Sequence, residues 1–476
     1  MPYSLFLWLW FFLSLTNFMS VNGVEIQDVL LEFFTQRFAH GKAKRTARSR
    51  RLTHVVWDKD PEGLWSRAER VFRWQPARLF LYGYTIDREV TELWLFSRIG
   101  IYRSEPILPG QLTLKQLITY YRGMTDFQLG LNPLIRTEKS GHEWILVKGS
   151  GKLESCLSDS PREYKLCLDK DPITHPREIV GNRPTVYRAR DDYGGEFAVK
   201  FSVNKAQISH EERLLRRVTE RKIWGVAQLV DFQTIEAGEY TSSCVVTSPF
   251  ARDLESYHSI EELMRCFRDV IKGHYFLYHD SKILHRDISV ANIMITNNHK
   301  SNPDAPSGIL IDLDRSLDLE TEPKKPYGLQ GTRAFMSIGI SLSYKDPILH
   351  TYRHDLESVF YVFLYLAVCR NKKLLKTSRL KRWMDGKKDW AEVGNMKRED
   401  MSDNENFNAI IDEFEPLRFR RLEALARELR SILFYPEKDF FVGTKTEAED
   451  VLKLYNGMIV AFARWADRLD VSGVVW

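Results

Sequence analysis

The chain has 476 residues, more than one hydrophobic core usually organises, so we expect at least two structural units. With 43% apolar and 28% charged residues, the composition is that of a globular protein and not of a fibrous or disordered one. The net charge of +5 is small for this length and does not indicate a nucleic-acid partner.

The cysteines give a first indication of the compartment. There are five, an odd number, and they are widely scattered. No pair has the spacing of metal ligands, so the sequence indicates neither a disulfide framework nor a zinc site. A reducing, intracellular compartment, the cytoplasm or the nucleus, is the simplest interpretation.

The N-terminal segment, residues 1–23, contains an apolar run at 3–21 without a charged residue. The run is long for a signal peptide and marginal for a spanning helix. Six Lys and Arg residues within 42–51 are placed to flank a membrane anchor on its cytoplasmic side. Three interpretations stay open: a secretory signal, a membrane anchor, or an apolar N-terminus outside the working domain.

The rest of the chain divides into three blocks. Residues 24–76 form an extension with a basic linker, 77–256 are rich in strand-like runs, and 257–476 show the apolar spacing of helices. We therefore predict an α+β fold, with 371–407 as a charged surface segment. The predicted strands are 78–86, 91–99, 143–149, 185–190, 196–203 and 243–248; the predicted helices lie near 112–122 and 207–220 and at 262–279, 355–368, 420–433 and 447–469.

The strongest motif is at 285–292, which reads His-Arg-Asp-Ile-Ser-Val-Ala-Asn. Kinase catalytic loops place Asn five residues after the Asp of His-Arg-Asp, as this segment does. Asp287 is placed to accept the proton of an acceptor hydroxyl, and Asn292 offers an amide oxygen to Mg²⁺. The motif predicts a phosphoryl-transfer protein with both residues in its catalytic site.

A second motif follows at 308–314, GILIDLD, an apolar strand that ends in Asp312. Asp312 fits the metal-binding Asp of the kinase D-F-G motif, and with Asn292 it gives the oxygen ligands that hard divalent cations prefer. Leu313 and Asp314 replace the Phe and Gly. Asp314 is either a second carboxylate of the metal site or a solvated turn residue, and we favour the turn.

The nucleotide-binding residues are predicted upstream. Residues 197–200, FAVK, resemble the kinase V-A-I-K strand, in which the Lys binds the α- and β-phosphates of ATP, so Lys200 is the candidate. The following helical segment offers Glu211 as the ion-pair partner of Lys200, with Glu212 as the alternative.

The glycine-rich loop is the poorest match, because Gly181 is the single glycine between residues 179 and 186. Its backbone is a candidate cap for a phosphate, and Arg183 adds positive charge. Pro184, however, removes one amide donor.

Four segments resemble the characteristic blocks of the fungal-type protein kinase family, a divergent relative of the eukaryotic protein kinases. They read LHRDISVANIM, GILIDLD, GTRAFMSI (331–338) and YRHDLESVFYVFLYL (352–366). The resemblance covers residues from about 75 to 476. The segment 91–106 is similar to the family's extra N-terminal β region. It implies a bilobal kinase-like fold, with 77–256 as a strand-rich N-lobe that includes this region and 257–476 as a helical C-lobe.

The resemblance also implies residue roles, with ATP and Mg²⁺ as substrate and cofactor. Asp287 corresponds to the catalytic base, Asn292 and Asp312 to the metal ligands, and Lys200 to the phosphate-binding lysine. Thr332 matches the threonine of the activation segment, the segment that follows the metal-binding Asp. Two structural residues, Asp355 and Arg286, match those that support the catalytic loop.

Two departures from the family pattern concern activity. Ser289 occupies the position at which serine/threonine kinases place a lysine that contacts the transferred phosphate. After GTRAFM the chain continues Ser337-Ile338, so the Pro and Glu of the A-P-E motif are missing.

Three functions are compatible with these motifs. We favour an ATP-dependent protein kinase acting on Ser or Thr of an unidentified protein; a small-molecule kinase for choline-like or aminoglycoside acceptors and a pseudokinase scaffold are the alternatives. Because a secreted kinase meets little ATP, a secretory signal is disfavoured. Membrane association through residues 3–21 remains the alternative to a free intracellular protein.

Overall fold

The computed structural model describes residues 55–58, 60–86, 91–107, 114–148, 163–181, 183–205, 210–237, 240–297, 302–321, 325–326, 328–369 and 373–471. The apolar run and the basic segment at 42–51 lie outside these ranges. The structure combines mainly antiparallel sheets with a large group of helices, which is the predicted α+β fold.

One prediction about location is wrong. Among the residues that the structure describes, no helix is both long enough and apolar enough to cross a bilayer. This finding corrects the membrane-anchored alternative, whose candidate segment, 3–21, lies outside the described residues.

The N-terminal unit consists of a four-stranded sheet and a helix. Strand β1 (Val55–Asp58) pairs in parallel with β2 (Phe80–Ile86), and β3 (Thr91–Ser97) and β4 (Gly100–Arg103) follow in antiparallel order. Helix α1 (Pro61–Trp74) begins after Asp60, whose carboxylate accepts the amide proton of Gly63 at 2.7 Å. The helix places Leu64 and Phe72 in a shared apolar cluster with the sheet. Helix α2 (Leu114–Gly123) follows.

A seven-stranded antiparallel sheet comes next. Its strands are β5 (Arg136–Thr137), β6 (Glu143–Val147), β7 (Tyr164–Leu168), β8 (Thr185–Arg190), β9 (Glu196–Lys205), β10 (Gln228–Ala237) and β11 (Tyr240–Ser248). They lie in the order β10-β11-β9-β8-β7-β6-β5. Helix α3 (His210–Glu220) connects β9 to β10 and packs against β10.

The remainder is helical, with short strands among the helices. The helices are α4 (Ile260–His279), α5 (Ile338–Leu342), α6 (Tyr352–Val368), α7 (Trp390–Ser402), α8 (Asn404–Ile411), α9 (Glu423–Phe434) and α10 (Ala448–Val471). The strands are β12 (Arg252–Asp253), β13 (Ile283–Leu284), β14 (Ile293–Ile295), β15 (Gly308–Leu310) and β16 (Leu317–Asp318).

Helix α6 lies at the centre of the helical part. Every residue of α6 except Tyr365 is buried. Its second half, 359–368, consists of apolar and aromatic residues on all sides, whereas its first turns bury charged groups such as Asp355 and Glu357.

The segment 371–407, which we predicted to be a charged surface segment, is partly buried. Helices α7 and α8 begin within it, and it buries the charged side chains of Lys397 and Asp400. Charge alone therefore misidentified a part of the core.

Three phenylalanines join the helices α4, α6 and α10. The ring of Phe462 stacks on Phe267 at 5.1 Å between centroids and meets the edge of Phe363 at 5.8 Å. All three side chains are fully buried.

We predict that Phe462→Ala lowers the free energy of unfolding by about 3–5 kcal/mol, because it leaves a cavity that the rigid surroundings fill only in part. Urea unfolding followed by circular dichroism measures the loss. The matched control is Val460→Ala on the same helix, where the side chain is 53% exposed. A Phe462→Ala loss no larger than that of the control would contradict the packing described.

Candidate active site

The catalytic loop between β13 and β14 is held by Asp355, which α6 places beneath it. The Asp355 carboxylate accepts the backbone amide protons of His285 and Arg286 at 3.1 Å. His274 and His350 donate to the same carboxylate at 2.9 and 2.8 Å. Burial alone would raise the pKa of Asp355, but these donors outweigh it and hold the pKa well below its usual range.

Arg286 needs this support because its backbone is in the left-handed region, at φ +67°. For a residue other than glycine this conformation costs about 1–2 kcal/mol. Two hydrogen bonds, which the Asp355 carboxylate accepts from consecutive amides, offset that cost. They turn the loop so that Asp287, the next residue, faces the activation segment.

Asp287 is fixed by the activation segment. Its Oδ1 accepts the Thr332 amide at 2.8 Å and the Thr332 hydroxyl at 2.7 Å, and Nε of Arg315 lies 3.5 Å from its Oδ2. The approach requires Gly331, because φ there is +116° and a Cβ atom would lie 2.7 Å from the carbonyl oxygen of Arg286.

Asn292 lies at the other end of the loop, beside the predicted metal-binding strand. Its Nδ2 donates to the carbonyl of Asp287 at 2.8 Å, so its Oδ1 is the side-chain atom left to a cation. Its own carbonyl accepts the amide of Ile311, the residue before Asp312. The two predicted metal ligands are therefore on adjacent backbone segments.

Lys200 is surrounded by carboxylates. Its Nζ lies 2.9 and 3.0 Å from the two oxygens of Glu211, 2.8 Å from Asp312 and 2.9 Å from Asp314. Burial alone would disfavour the ammonium, but the carboxylates outweigh it and hold the pKa of Lys200 well above its ordinary value. Of the two predicted partners, Glu211 contacts Lys200, whereas Glu212 contacts Arg216 at 2.5 Å.

The carboxylates outnumber the ammonium three to one. Ligand oxygens of Glu211, Asp312 and Asp314 lie within 4.8 Å of one another. Burial raises the pKa of Glu211 to about 8; Lys200 opposes this rise, and the neighbouring Asp314 and Asp312 add to it. Asp314 lies in an exposed turn, as expected, and it also contacts Lys200, so it belongs to the charged cluster as well.

This cluster fits a hard divalent cation. Its donors are carboxylate oxygens, with the amide oxygen of Asn292 on the backbone segment next to Ile311 and Asp312, and such cations prefer these atoms. Asp312, whose side chain is 34% exposed, has φ +66°. The carboxylate excess gives a cation a favourable electrostatic environment.

Gly181 is the predicted site residue that the structure does not bring to this cluster. Its amide donates to the carbonyl of Arg98 in the N-terminal unit at 2.8 Å. With Thr185 and Ser202 it lines a small cavity of about 20 Å³. Its role as a phosphate-binding residue stays a prediction.

Two buried groups that sequence reasoning missed hold the end of the activation segment. Glu357 accepts the amide of Ile338 at 2.7 Å and pairs with Arg353 at 2.7 Å. Nζ of Lys397 donates to the carbonyl of Met336 at 2.5 Å and lies 4.5 Å from the ring centre of Tyr361. These contacts fix the segment where A-P-E is missing. Of the two groups, only Glu357 could have been found from the sequence, because it lies one helical turn after Arg353, at the spacing of an ion pair.

The comparisons with known proteins agree with this geometry. A family model described as fungal protein kinase matches residues 49–244 and 237–367. The match includes the N-terminal unit, both strands that carry the cluster and the catalytic loop. No curated protein matches the chain.

The buried histidine next to Asp355 makes stability depend on pH. His354 accepts the Thr351 amide at 3.0 Å through Nδ1, and burial, with His350 and Arg353 nearby, lowers the pKa of His354 well below its usual 6.5. Below about pH 6.5 the unfolded chain therefore binds a proton that the folded chain does not. This histidine makes the free energy of unfolding fall with falling pH, by at most about 1.4 kcal/mol per pH unit.

We predict that His354→Asn, which keeps an acceptor for the Thr351 amide, reduces this slope between about pH 5 and 7. Urea unfolding of wild type and variant at matched pH values measures the difference. The slopes of variant and wild type must be compared because Glu211, with its raised pKa, changes the free energy of unfolding with the opposite sign in this pH window. His279→Asn, at an exposed histidine, is the control; equal slopes for wild type and His354→Asn would refute the prediction.

Proposed function

We propose that this chain, which belongs to the fungal protein kinase family, transfers the γ-phosphate of ATP to a serine or threonine hydroxyl of a protein. The observation that carries the proposal is the contact of one buried ammonium, Lys200, with both Glu211 and Asp312 within 3.0 Å. Kinases require a lysine–glutamate pair and a metal-binding aspartate in place together.

The nucleotide lies, in this proposal, between the seven-stranded sheet and the helical part, which form the two lobes. Lys200 binds the α- and β-phosphates, and Glu211 holds the Lys200 ammonium in position. Asn292 and Asp312 would hold Mg²⁺, which neutralises charge on the phosphates. Catalysis comes from positioned charges, since phosphoryl transfer needs little covalent chemistry from the protein.

Asp287 orients the acceptor hydroxyl and accepts its proton. The two hydrogen bonds from Thr332 fix one carboxylate oxygen, so the other is directed by the loop and by Arg315. Ser289 supplies no positive charge, and we infer that Arg315 provides part of the charge that a lysine supplies in serine/threonine kinases. Its guanidinium lies beside Asp287, where the acceptor and the transferred phosphate would meet.

A small-molecule kinase is the second candidate, and one observation favours it. Asp314 contributes a further acidic group two residues after the proposed metal-binding Asp312, which is similar to enzymes that phosphorylate choline or aminoglycosides. Against it stand the anchored activation segment and the bond between Thr332 and Asp287. In this proposal the activation segment that these contacts fix is the part of the site that a protein acceptor approaches.

We predict Mg²⁺-dependent transfer of labelled phosphate from ATP to peptide mixtures, and little transfer to choline or aminoglycosides. Asp287→Asn removes the proton acceptor and lowers kcat by about 10²–10⁴-fold. Lys200→Met also lowers the rate of transfer, because it removes the phosphate contact. Arg315→Gln lowers the rate less, because the Arg315 side chain is 54% exposed.

Asp280→Asn is the matched control, because Asp280 is an exposed carboxylate whose side chain contacts His279. Transfer that Asp287→Asn leaves intact would contradict the assignment of the base. Preferred transfer to choline-like acceptors would support the second candidate. Absence of both nucleotide binding and turnover would leave the pseudokinase interpretation.

A further inference from the structure

A buried arginine joins the N-terminal unit to the segment that precedes β8. Arg98, in the turn between β3 and β4, is 5% exposed. Its guanidinium donates to the carbonyls of Glu178 at 3.0 Å, Ile179 at 3.3 Å and Pro76 at 2.8 Å. The Arg98 carbonyl in turn accepts the amide of Gly181. Arg98 thus binds both the segment and the end of α1.

Two further contacts dock the same segment, described at 178–181 and 183–185, on the N-terminal unit. Ile179 is 3% exposed and packs in the apolar cluster with Leu64, Phe72 and Phe96. The hydroxyl of Thr185 donates to the Pro76 carbonyl at 2.9 Å. The docking is therefore apolar as well as polar and involves both ends of the segment.

The environment of Arg98 is unusual for a buried cation. Among the described residues no carboxylate forms an ion pair with it; carbonyl oxygens and the Phe72 ring, 4.6 Å away, surround the guanidinium. Burial accordingly lowers the pKa of Arg98 to about 10. A buried charge without an opposite charge is costly, so its presence points to a positional role for the groups that it holds.

The docked segment leads directly to the nucleotide-binding strand. It continues into β8, where Val186 pairs with Lys200 of β9. Neighbouring strands lie about 4.8 Å apart, so the segment enters the sheet next to the Lys200 backbone. This is the strand connection in which the glycine-rich loop is missing.

We propose that Arg98 is a positioning residue that holds segment 178–185 in place for the nucleotide phosphates. The fixed segment takes over the function of the absent glycine-rich loop, and the N-terminal unit is part of the nucleotide site. A segment that is already ordered loses less conformational freedom when ATP binds, which favours binding. The proposal rests on the kinase function proposed above.

The test compares Arg98→Gln with wild type in two measurements. We expect faster hydrogen exchange of the amides in 178–185 and about a tenfold higher KM for ATP, since about 1.4 kcal/mol of ordering cost is restored. The KM for the peptide acceptor and kcat stay within about twofold of wild type. A merely structural role would lower activity without separating the two KM values.

A milder variant keeps the test valid if Arg98→Gln does not fold. Thr185→Val keeps the side-chain shape and removes one donor to Pro76, whose carbonyl keeps the Arg98 bond. Like Arg98→Gln, it should raise the KM for ATP. Arg103→Gln, at an exposed arginine of β4, is the matched control and should leave both measurements unchanged.

The outcomes separate this inference from the proposed function. Unchanged exchange in Arg98→Gln, or faster exchange with an unchanged KM for ATP, would overturn the role of Arg98 while leaving the kinase intact. If wild type transfers no phosphate, calorimetric affinities for Mg²⁺·ATP replace the KM values. Wild type that does not bind ATP overturns both, and the exchange data then show separately whether Arg98 holds the segment.

Discussion

The candidate site depends on one buried ammonium and the three carboxylates around it. Lys200 joins the seven-stranded sheet to α3 through Glu211 and to the helical part through Asp312 and Asp314. Because three carboxyl groups surround one ammonium, the cluster favours additional positive charge. Burial raises the pKa of Glu211 to about 8, and the neighbouring Asp314 and Asp312 add to this rise. Structure and proposed cation binding thus follow from one electrostatic arrangement.

The segments around this cluster are held by buried charged groups that bind backbone atoms. Asp355 binds the amides of the catalytic loop, Glu357 and Lys397 bind the activation segment, and Arg98 binds the segment before β8. A bond to a backbone amide or carbonyl does not depend on the side chain of that residue. The chain can therefore lack A-P-E and a glycine-rich loop and still fix both segments.

The same property explains what the sequence reveals. The catalytic loop and the strand before Asp312 were predictable because the proposed chemistry would require particular side chains at Asp287, Asn292 and Asp312. Strands rich in β-branched and aromatic residues and long amphipathic helices were recognised, but very short strands such as β5 have too few residues for a pattern. Lys397 and Arg98 were missed because their partners are backbone carbonyls, which leave no trace in the sequence.

The most direct test of the electrostatic account is the binding of ATP with and without Mg²⁺, measured by calorimetry on the full chain. The account predicts that Mg²⁺ strengthens ATP binding greatly, because phosphates are otherwise repelled by the carboxylate excess around Lys200. Asp314→Asn should weaken this dependence by removing one of the charges. ATP affinity that is the same in EDTA and in Mg²⁺ would contradict the account.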